Sequence, residues 1–299
     1  MSVQTVKATI NGQSYDLTYD STTQTYTATI SAPTKSSYTI NVGHYYPVSV
    51  TATDDAGNTT TVNDTHASFG DDLKLKVKEK VAPVIKILKP TADSTITSAT
   101  PTIQWQITDD DSGVDPASIK LTIDDGAPIT GTSIKKTTMT GGYTCIYEVA
   151  TALSNGTHTF VVEASDYDGN ATTSTTTTFT VDTVPPALTI TSPEDGLKTN
   201  VNKVTVAGTT NDATSTSVTI TVNGVSVPVD DDGSFSYELE LENGENTITI
   251  IATDGAGLTT TVTRTVTLDT GAPVFQSITI TPNPVDAGAT YVIRVKVTD

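Results

Sequence analysis

The chain has 299 residues, long enough for two or three domains, and its 34 acidic residues against 16 lysines and arginines give a net charge of −18. A chain this acidic does not bind nucleic acid by neutralising phosphates, and its one cysteine, Cys145, cannot form an intrachain disulfide or a multi-cysteine zinc site. No apolar run approaches the ~18 residues that a membrane-spanning helix needs, so we expect no membrane span.

The N-terminal residues alternate in the period-2 pattern of a β-strand, with Val6, Ala8 and Ile10 on one face. They do not combine a basic stretch with a following apolar stretch, so the sequence predicts no secretory signal. Threonine makes up about a fifth of the chain, which favours strands because β-branched side chains fit a pleated surface.

Three consecutive ring-bearing residues, His44, Tyr45 and Tyr46, follow in the N-terminal region. Successive side chains of a strand point to opposite faces, so at least one of these rings must lie on the outer face. Tyr26 and Tyr38 are nearby in the sequence. The pattern indicates a contact surface for a glycan or a protein, and packing in the core and along an edge strand is the competing interpretation.

A short phrase rich in aspartate and glycine recurs three times, at 52–58, 164–170 and 252–258. Each copy follows an apolar alternating stretch and precedes a stretch rich in threonine and valine. Aspartate, glycine and asparagine accept the positive φ angles of tight turns, so each copy predicts the turn of a β-hairpin. Recurrence of this kind predicts a tandem array.

Proline-containing phrases at 81–84, 184–187 and 271–274 separate the repeats. Proline stiffens a linker and cannot donate to a strand ladder, so we place module boundaries at these phrases. The predicted fold class is all-β, with tandem immunoglobulin-like β-sandwiches joined by short proline-containing linkers. We name the modules in chain order: first module (1–82), second module (83–183), third module (184–271), and a partial module or C-terminal β-hairpin (272–299).

The second module contains the only tryptophan and the only cysteine. Trp105 lies in an alternating strand and is predicted to pack in the core with Phe160, Val162 and Phe179; a sugar-stacking platform is the alternative. Cys145 shares a strand face with Tyr143 and Tyr147 and is predicted to be a buried apolar residue. A thiol nucleophile is the alternative, and it would need a base such as His158.

The second module also carries the densest acidic stretch. Calcium prefers several oxygen ligands, which makes clustered aspartates on a loop suitable ligands. Lys120 occupies the place where an EF-hand would have its closing glutamate, and an ordinary polar turn is the competing interpretation. The candidate calcium ligands on this loop are Asp109, Asp110, Asp111 and Asp115.

These phrases together resemble a bacterial Ig-like domain array of the cadherin-like and fibronectin-III-like kind. The resemblance rests on the repeated Asp-x-x-Gly-Asn hairpins, the Asp-Thr-x-Pro-Pro join at 182–186, and the phrases at 111–116 and 232–237. It covers 83–271 well and 1–82 more loosely. A cadherin-like arrangement implies calcium at the joins, with Asp166, Asp168 and Asp182 converging near 109–111.

Arrays of this family occur in Gram-positive surface proteins and in virion proteins of tailed phages. The phrase at 278–288 is similar to one in short Ig-like proteins of phage tail modules. The resemblance therefore implies a structural or adhesive protein of the phage tail, located on a virion assembled in the host cytoplasm. A Gram-positive cell-surface adhesin or spacer and a carbohydrate-binding accessory module are the alternatives.

Enzyme signatures are missing from the sequence: it has no Gly-x-Ser-x-Gly, His-Glu-x-x-His or phosphate-binding loop. We therefore expect no catalysis and no cofactor, with calcium as the one candidate ion. The expected partners are other virion or surface proteins and a host-surface glycan or protein. Two strands alone are marginal in water, so 272–299 must pack on the third module, pair with another chain, or be completed by further sequence.

Overall fold

A computed structural model describes residues 2–215 and 217–299, and its regular structure consists of β-strands and two single-turn 3-10 helices. The described part contains no helix long and apolar enough to cross a membrane. The chain divides into two compact units, 1–181 and 182–299. The first unit holds the first and second modules, and the second unit holds the third module and the C-terminal hairpin.

The first module forms one antiparallel sheet. Its strands are β1 (Val3–Ile10), β2 (Gln13–Asp20), β3 (Thr25–Thr27), β4 (Tyr46–Asp54), β5 (Thr59–Val62) and β6 (Lys74–Leu75). They lie in the order β3-β2-β1-β4-β5, with β6 also paired to β4. A 3-10 turn spans Asp71–Leu73.

The described residues of the first module thus differ from the two-layered sandwich that the sequence predicts. The physical reason is a shortage of apolar surface to bury. Among the described residues of the module, the buried hydrophobic ones are Val6, Ala8 and Tyr46, and the other strand positions are half-buried or exposed. A second layer needs an apolar face to pack against.

The second module is a two-sheet sandwich. Its strands are β7 (Val84–Lys89), β8 (Ser94–Ile96), β9 (Thr102–Thr108), β10 (Lys120–Ile123), β11 (Lys135–Met139), β12 (Gly142–Glu148), β13 (Gly156–Ser165), β14 (Ala171–Thr173) and β15 (Thr177–Val181). One sheet has the order β11-β12-β9-β7, and the other has the order β10-β13-β15-β8 with β14 on β13. A 3-10 turn spans Gly131–Ser133.

The core of the second module confirms the prediction for Trp105. Alternate residues of β9 are fully buried, and Trp105 packs in one cluster with Phe160, Val162 and Phe179. Cys145 is in the same cluster and pairs in register with Trp105 across β12 and β9. Period-2 alternation alone was enough to place these residues, because one face of each strand meets the opposing sheet.

The third module repeats this plan. Its strands are β16 (Ala187–Ser192), β17 (Leu197–Thr199), β18 (Lys203–Asn211), β19 (Thr219–Val222), β20 (Val225–Val227), β21 (Ser234–Glu240), β22 (Gly244–Thr253) and β23 (Thr259–Leu268). The sheets have the orders β16-β18-β21 and β17-β23-β22-β19-β20. In both sandwiches a short strand, β8 or β17, pairs in parallel with the last strand of its module.

The C-terminal segment forms a hairpin of β24 (Val274–Thr281) and β25 (Val292–Thr298). Every residue from 269 to 299 is exposed, including Phe275 and Ile278. The hairpin therefore does not pack on the third module, which was one of the three expected ways of supporting it.

Replacing the core tryptophan should strongly destabilise the second module. We expect Trp105→Ala to lower its free energy of unfolding by about 3–5 kcal/mol, because the change leaves a large cavity. Trp105→Phe should cost less, since phenylalanine fills most of the volume and removes an indole N–H that is buried without a partner. Urea unfolding followed by far-UV circular dichroism tests this, and equal costs for the two variants would contradict it.

Candidate functional site

The repeated turn places an aspartate at the end of a long strand in each module: Asp54 is the last residue of β4, and Asp166 and Asp254 directly follow β13 and β22. Asp54, Asp166 and Asp254 each accept a backbone N–H from the residue four positions later on one oxygen, at 2.8 Å in all three copies. The glycine before that residue has a φ of 84°, 93° or 85° in the three copies, in chain order. These turns are the hairpin turns predicted from the sequence repeats.

The three copies differ in how the second carboxylate oxygen is satisfied. Asn58 and Asn170 end the first two copies, and the side-chain amide of each donates to Oδ2 of its aspartate, at 2.9 and 2.6 Å. Leu258 ends the third copy and offers no such donor. Among residues 2–215 and 217–299, Oδ2 of Asp254 is consequently buried without a hydrogen-bond partner.

A first carboxylate cluster comprises Glu79, Asp109 and Asp166, which each bring an oxygen within 4.8 Å of the others. Protein donors satisfy all three groups. Glu79 accepts the backbone N–H of Ser112 at 2.7 Å, and Asp109 accepts those of Asp111 and Gly113 at 3.0 and 2.7 Å. Asp166 is held by its turn, as described above.

The other predicted calcium ligands of the second module have different surroundings. Asp110 is exposed, and Asp115 accepts the backbone N–H of Ala117 within its own turn, at 2.9 Å. Asp111 accepts the backbone N–H of Ser36 in the first module on both oxygens, at 3.0 Å each. Asp168 accepts the backbone N–H of Glu79 at 3.0 Å. The structure therefore brings Asp109 and Asp166 together with Glu79, a residue that the sequence did not single out.

A second carboxylate cluster lies in the second unit and comprises Asp182, Asp212 and Asp254. Asp182 is fully buried and Asp254 is 6% exposed. Asp212 accepts backbone N–H groups from its own loop, and Asp182 accepts the hydroxyl of Ser215 at 2.8 Å. Sequence reasoning named only Asp182 of this set.

The two clusters occupy equivalent positions in the two sandwiches. Glu79 lies in the linker between β6 and β7 (76–83), and Asp182 lies in the linker between β15 and β16 (182–186). Asp109 and Asp212 directly follow β9 and β18. The third member of each cluster is the aspartate of the repeated turn. Aligning the strands of the two modules would therefore have found Glu79 and Asp212 from the sequence.

The predicted aromatic contact residues fall into three environments. Tyr46 is buried and donates its hydroxyl to the carbonyl of Lys35 at 3.2 Å, so it presents no ring surface to a partner. Tyr45 is half-buried and donates its hydroxyl to Asp64 at 2.8 Å. That hydrogen bond is the main cause of the raised pKa of Tyr45. His44 is exposed and stacks on Tyr38, with ring centroids 4.0 Å apart.

Cys145 and His158 do not form a nucleophile and base pair. Burial raises the pKa of the Cys145 thiol to about 11, which keeps it protonated and unreactive at neutral pH. His158 uses both ring nitrogens for other partners: Nδ1 lies 2.6 Å from Asp124 and Nε2 lies 2.8 Å from the carbonyl oxygen of Ser154. The ring thus fastens the start of β13 to the loop after β10.

The sequences of both sandwiches match known family models. Residues 83–162 match the family model for the bacterial Ig domain, and residues 186–270 match the model for domain B of glucodextranase. No curated protein matches the chain.

Among solved structures, the chain is similar to the fibronectin(III)-like modules of CbhA from Clostridium thermocellum at 18% identity, covering 62% of this chain and 94% of that chain with a TM-score of 0.37. It is also similar to a three-domain Ig fragment of titin at 12% identity, covering 89% of this chain and 88% of that chain with a TM-score of 0.45. Together with the strand orders of the second and third modules, the family matches identify an array of Ig-like domains, a structural or adhesive type of module.

The His158–Asp124 pair makes the second module more stable in mild acid. Burial alone would lower the pKa of His158, but the hydrogen bonds to Asp124 and Ser154 outweigh it and raise the pKa. The stabilisation is therefore complete below the unfolded pKa of about 6.5 and is lost as the pH rises through the higher folded value. We expect the melting temperature reported by Trp105 fluorescence to fall between pH 6 and 8.

Asp124→Asn should flatten this pH dependence because the imidazolium loses its carboxylate partner. Asp125→Asn is the matched control, since Asp125 is the exposed neighbour and the His158 ring bonds Asp124 and Ser154 instead. An unchanged slope in Asp124→Asn would contradict the assignment.

Proposed function

We propose that the chain is a non-enzymatic spacer and attachment array carried on the tail of a phage virion. The observation that carries the spacer role is the join between the first and second modules, where the linker and both modules are hydrogen-bonded to one another. A join of this kind limits the relative motion of neighbouring modules, which is what a spacer requires. The virion location is supported by the similarity of 278–288 to a phrase of phage tail proteins.

The first module forms hydrogen bonds with the linker through Ser37. This residue is buried, and its backbone N–H and its hydroxyl both bond the carbonyl of Val77, at 2.9 and 3.1 Å. Ser37 Oγ also accepts the backbone N–H of Val77 at 3.1 Å. The linker therefore begins as an extended segment pinned to the first module.

The second module forms hydrogen bonds with the next two linker residues, Lys78 and Glu79. Lys78 Nζ donates to the backbone carbonyl of Asp168 at 3.0 Å, and the Asp168 carboxylate accepts the N–H of Glu79 at 3.0 Å. Asn170 Nδ2 reaches the carbonyl of Glu79 at 3.3 Å. The turn that closes β13 and β14 is thus also the linker's docking point.

Side chains also bridge the two modules directly. The Tyr167 ring of the second module stacks on Tyr38 of the first at 4.1 Å, with an interplanar angle of 9°. With His44 stacked on Tyr38, the three rings form a column, which we call the ring column (His44, Tyr38, Tyr167). Stacked pairs add about 0.5–1.5 kcal/mol each beyond the area they bury.

These contacts favour a join that resists bending. Modules joined by a freely rotating linker would reorient relative to one another. Such motion is usual where the interface between two domains is small and polar. Here hydrogen bonds on both sides of the linker and the ring column restrain that motion. The net charge of −18 discourages self-association of the exposed threonine-rich strands.

The non-enzymatic part of the proposal rests on how the reactive groups are used. The Cys145 thiol is buried, His158 is engaged by Asp124, and the carboxylates of the first cluster accept backbone N–H bonds. A second candidate role, a carbohydrate-binding accessory module, is favoured by the match of 186–270 to a domain named for glucodextranase. Binding of the full chain to a glycan array would support that second role over a pure spacer.

Breaking the ring column should loosen the join. We expect Tyr167→Ala to broaden the distance distribution between spin labels placed at Thr25→Cys and Lys135→Cys, two exposed positions in the first and second modules. Double electron–electron resonance measures this distribution. Tyr19→Ala is the matched control, because Tyr19 contacts Tyr26 within the first module. Equal widths for Tyr167→Ala and the control would contradict a restrained join.

The location is tested by asking where the full chain is found. We expect mass spectrometry of density-purified virions to detect it at a stoichiometry of several copies, and gold-labelled antibodies to decorate the tails. The major capsid protein is the internal standard for the first measurement. Recovery in the bacterial cell-wall fraction, with virions free of the chain, would overturn the virion role and favour a cell-surface spacer.

A further inference from the structure

We propose that Asp182, Asp212 and Asp254 bind a calcium ion in the second unit, at the start of the third module. This site is independent of where the array is displayed. It joins the linker residue before β16 to the loops that follow β18 and β22. Three observations support it: an unsatisfied buried oxygen, a convergence of three carboxylates, and the contrast with the equivalent cluster of the second module.

The unsatisfied oxygen is Oδ2 of Asp254. The residue is 6% exposed, and its Oδ1 already accepts the N–H groups of Ala256 and Leu258, at 2.9 and 2.8 Å. Oδ2 has no partner among the described residues. A buried carboxylate oxygen without a donor is costly, because the charge has lost its water and gained nothing in return.

The convergence places further negative charge beside the Asp254 carboxylate. One carboxylate oxygen each from Asp182, Asp212 and Asp254 lie within 4.8 Å of one another. Within 2–215 and 217–299, no lysine, arginine or histidine forms an ion pair with any of the three. The Ser215 hydroxyl donates to Asp182 at 2.8 Å. A cation would compensate the charge that the protein leaves uncompensated.

The equivalent cluster of the second module shows what a satisfied version looks like. There Asn170 supplies a side-chain amide to Oδ2 of Asp166 at 2.6 Å, and Glu79 accepts the N–H of Ser112. In the third module leucine stands in the position of that asparagine. We infer that the amide and the cation are alternative ways to satisfy the same oxygen, so the ion belongs to the second cluster and not to the first.

Calcium is the cation that this donor set fits. All three ligands are carboxylate oxygens, and none is a thiolate or an imidazole, the donors typical of zinc sites. Calcium binds oxygens at about 2.3–2.6 Å and tolerates irregular geometry, so ligands on opposite sides of the ion lie roughly 5 Å apart. Magnesium needs a tighter octahedron and keeps more of its water.

The test uses the full chain, stripped with a chelator and titrated with CaCl2 by isothermal calorimetry. We expect one calcium ion per chain. Calorimetric melts should show one transition that rises by about 5–10 °C when calcium is present at ten times its dissociation constant. The same concentration of MgCl2 should give a smaller rise.

Three variants test which carboxylate cluster binds the ion. Asp254→Asn should abolish calcium binding while folding normally in chelator, because its retained oxygen still accepts the two turn N–H groups. Asp166→Asn, the matched change in the first cluster, should leave binding intact. Leu258→Asn should raise the melting temperature in chelator and reduce the gain from calcium, since the new amide can donate to Oδ2 of Asp254.

The proposal is overturned if the wild-type chain binds no calcium, if Asp254→Asn binds as the wild type does, or if Asp166→Asn loses binding. Two ions per chain, with one lost in each aspartate variant, would overturn the distinction between the clusters. An equal shift with magnesium would overturn the choice of cation. Far-UV circular dichroism in chelator checks that each variant is folded, so that a lost site is separable from a lost fold.

Discussion

A buried carboxylate must receive hydrogen bonds or a positive charge, and this requirement organises the ends of the strands in the second and third modules, where Asp166 and Asp254 are buried. An aspartate at the end of a long strand accepts backbone N–H groups of the turn that follows it, and so closes the hairpin. The sheets of the sandwiches depend on these closures, because the turn sets the pairing register of the strands on either side.

The same groups also serve the join between the first and second modules. Once the turn of 164–170 is closed, its side chains and carbonyls face the linker, where Asp168 and Asn170 hold Glu79. This polar turn therefore has two roles: it closes a hairpin, and it binds the linker that precedes the second module. The ring column adds a stacking contact between the two modules, which favours one relative orientation of the rings.

Much of the second and third modules followed from local patterns. The alternation around Trp105 placed the core, and the repeated turns placed the hairpins, because both depend on neighbouring residues only. The first module was less predictable. Its threonine-rich strands alternate as clearly as the others, but too few apolar side chains accompany them, and the described residues form one sheet. Residues 44–46 were also poorly predicted from the sequence. Alternation places neighbouring side chains on opposite faces, but it does not say that Tyr46 is buried or that His44 stacks on another ring.

What the sequence by itself determined was the all-β class, the tandem order of modules and the identity of the turn residues. Those properties come from a period of two and from residues that accept positive φ, which act over a few positions. Only the tertiary structure decided which acidic residues share a site. Glu79 joins Asp109 and Asp166, and Asp212 joins Asp182 and Asp254, because packing two sheets brings a linker and two strand ends together from distant parts of the chain.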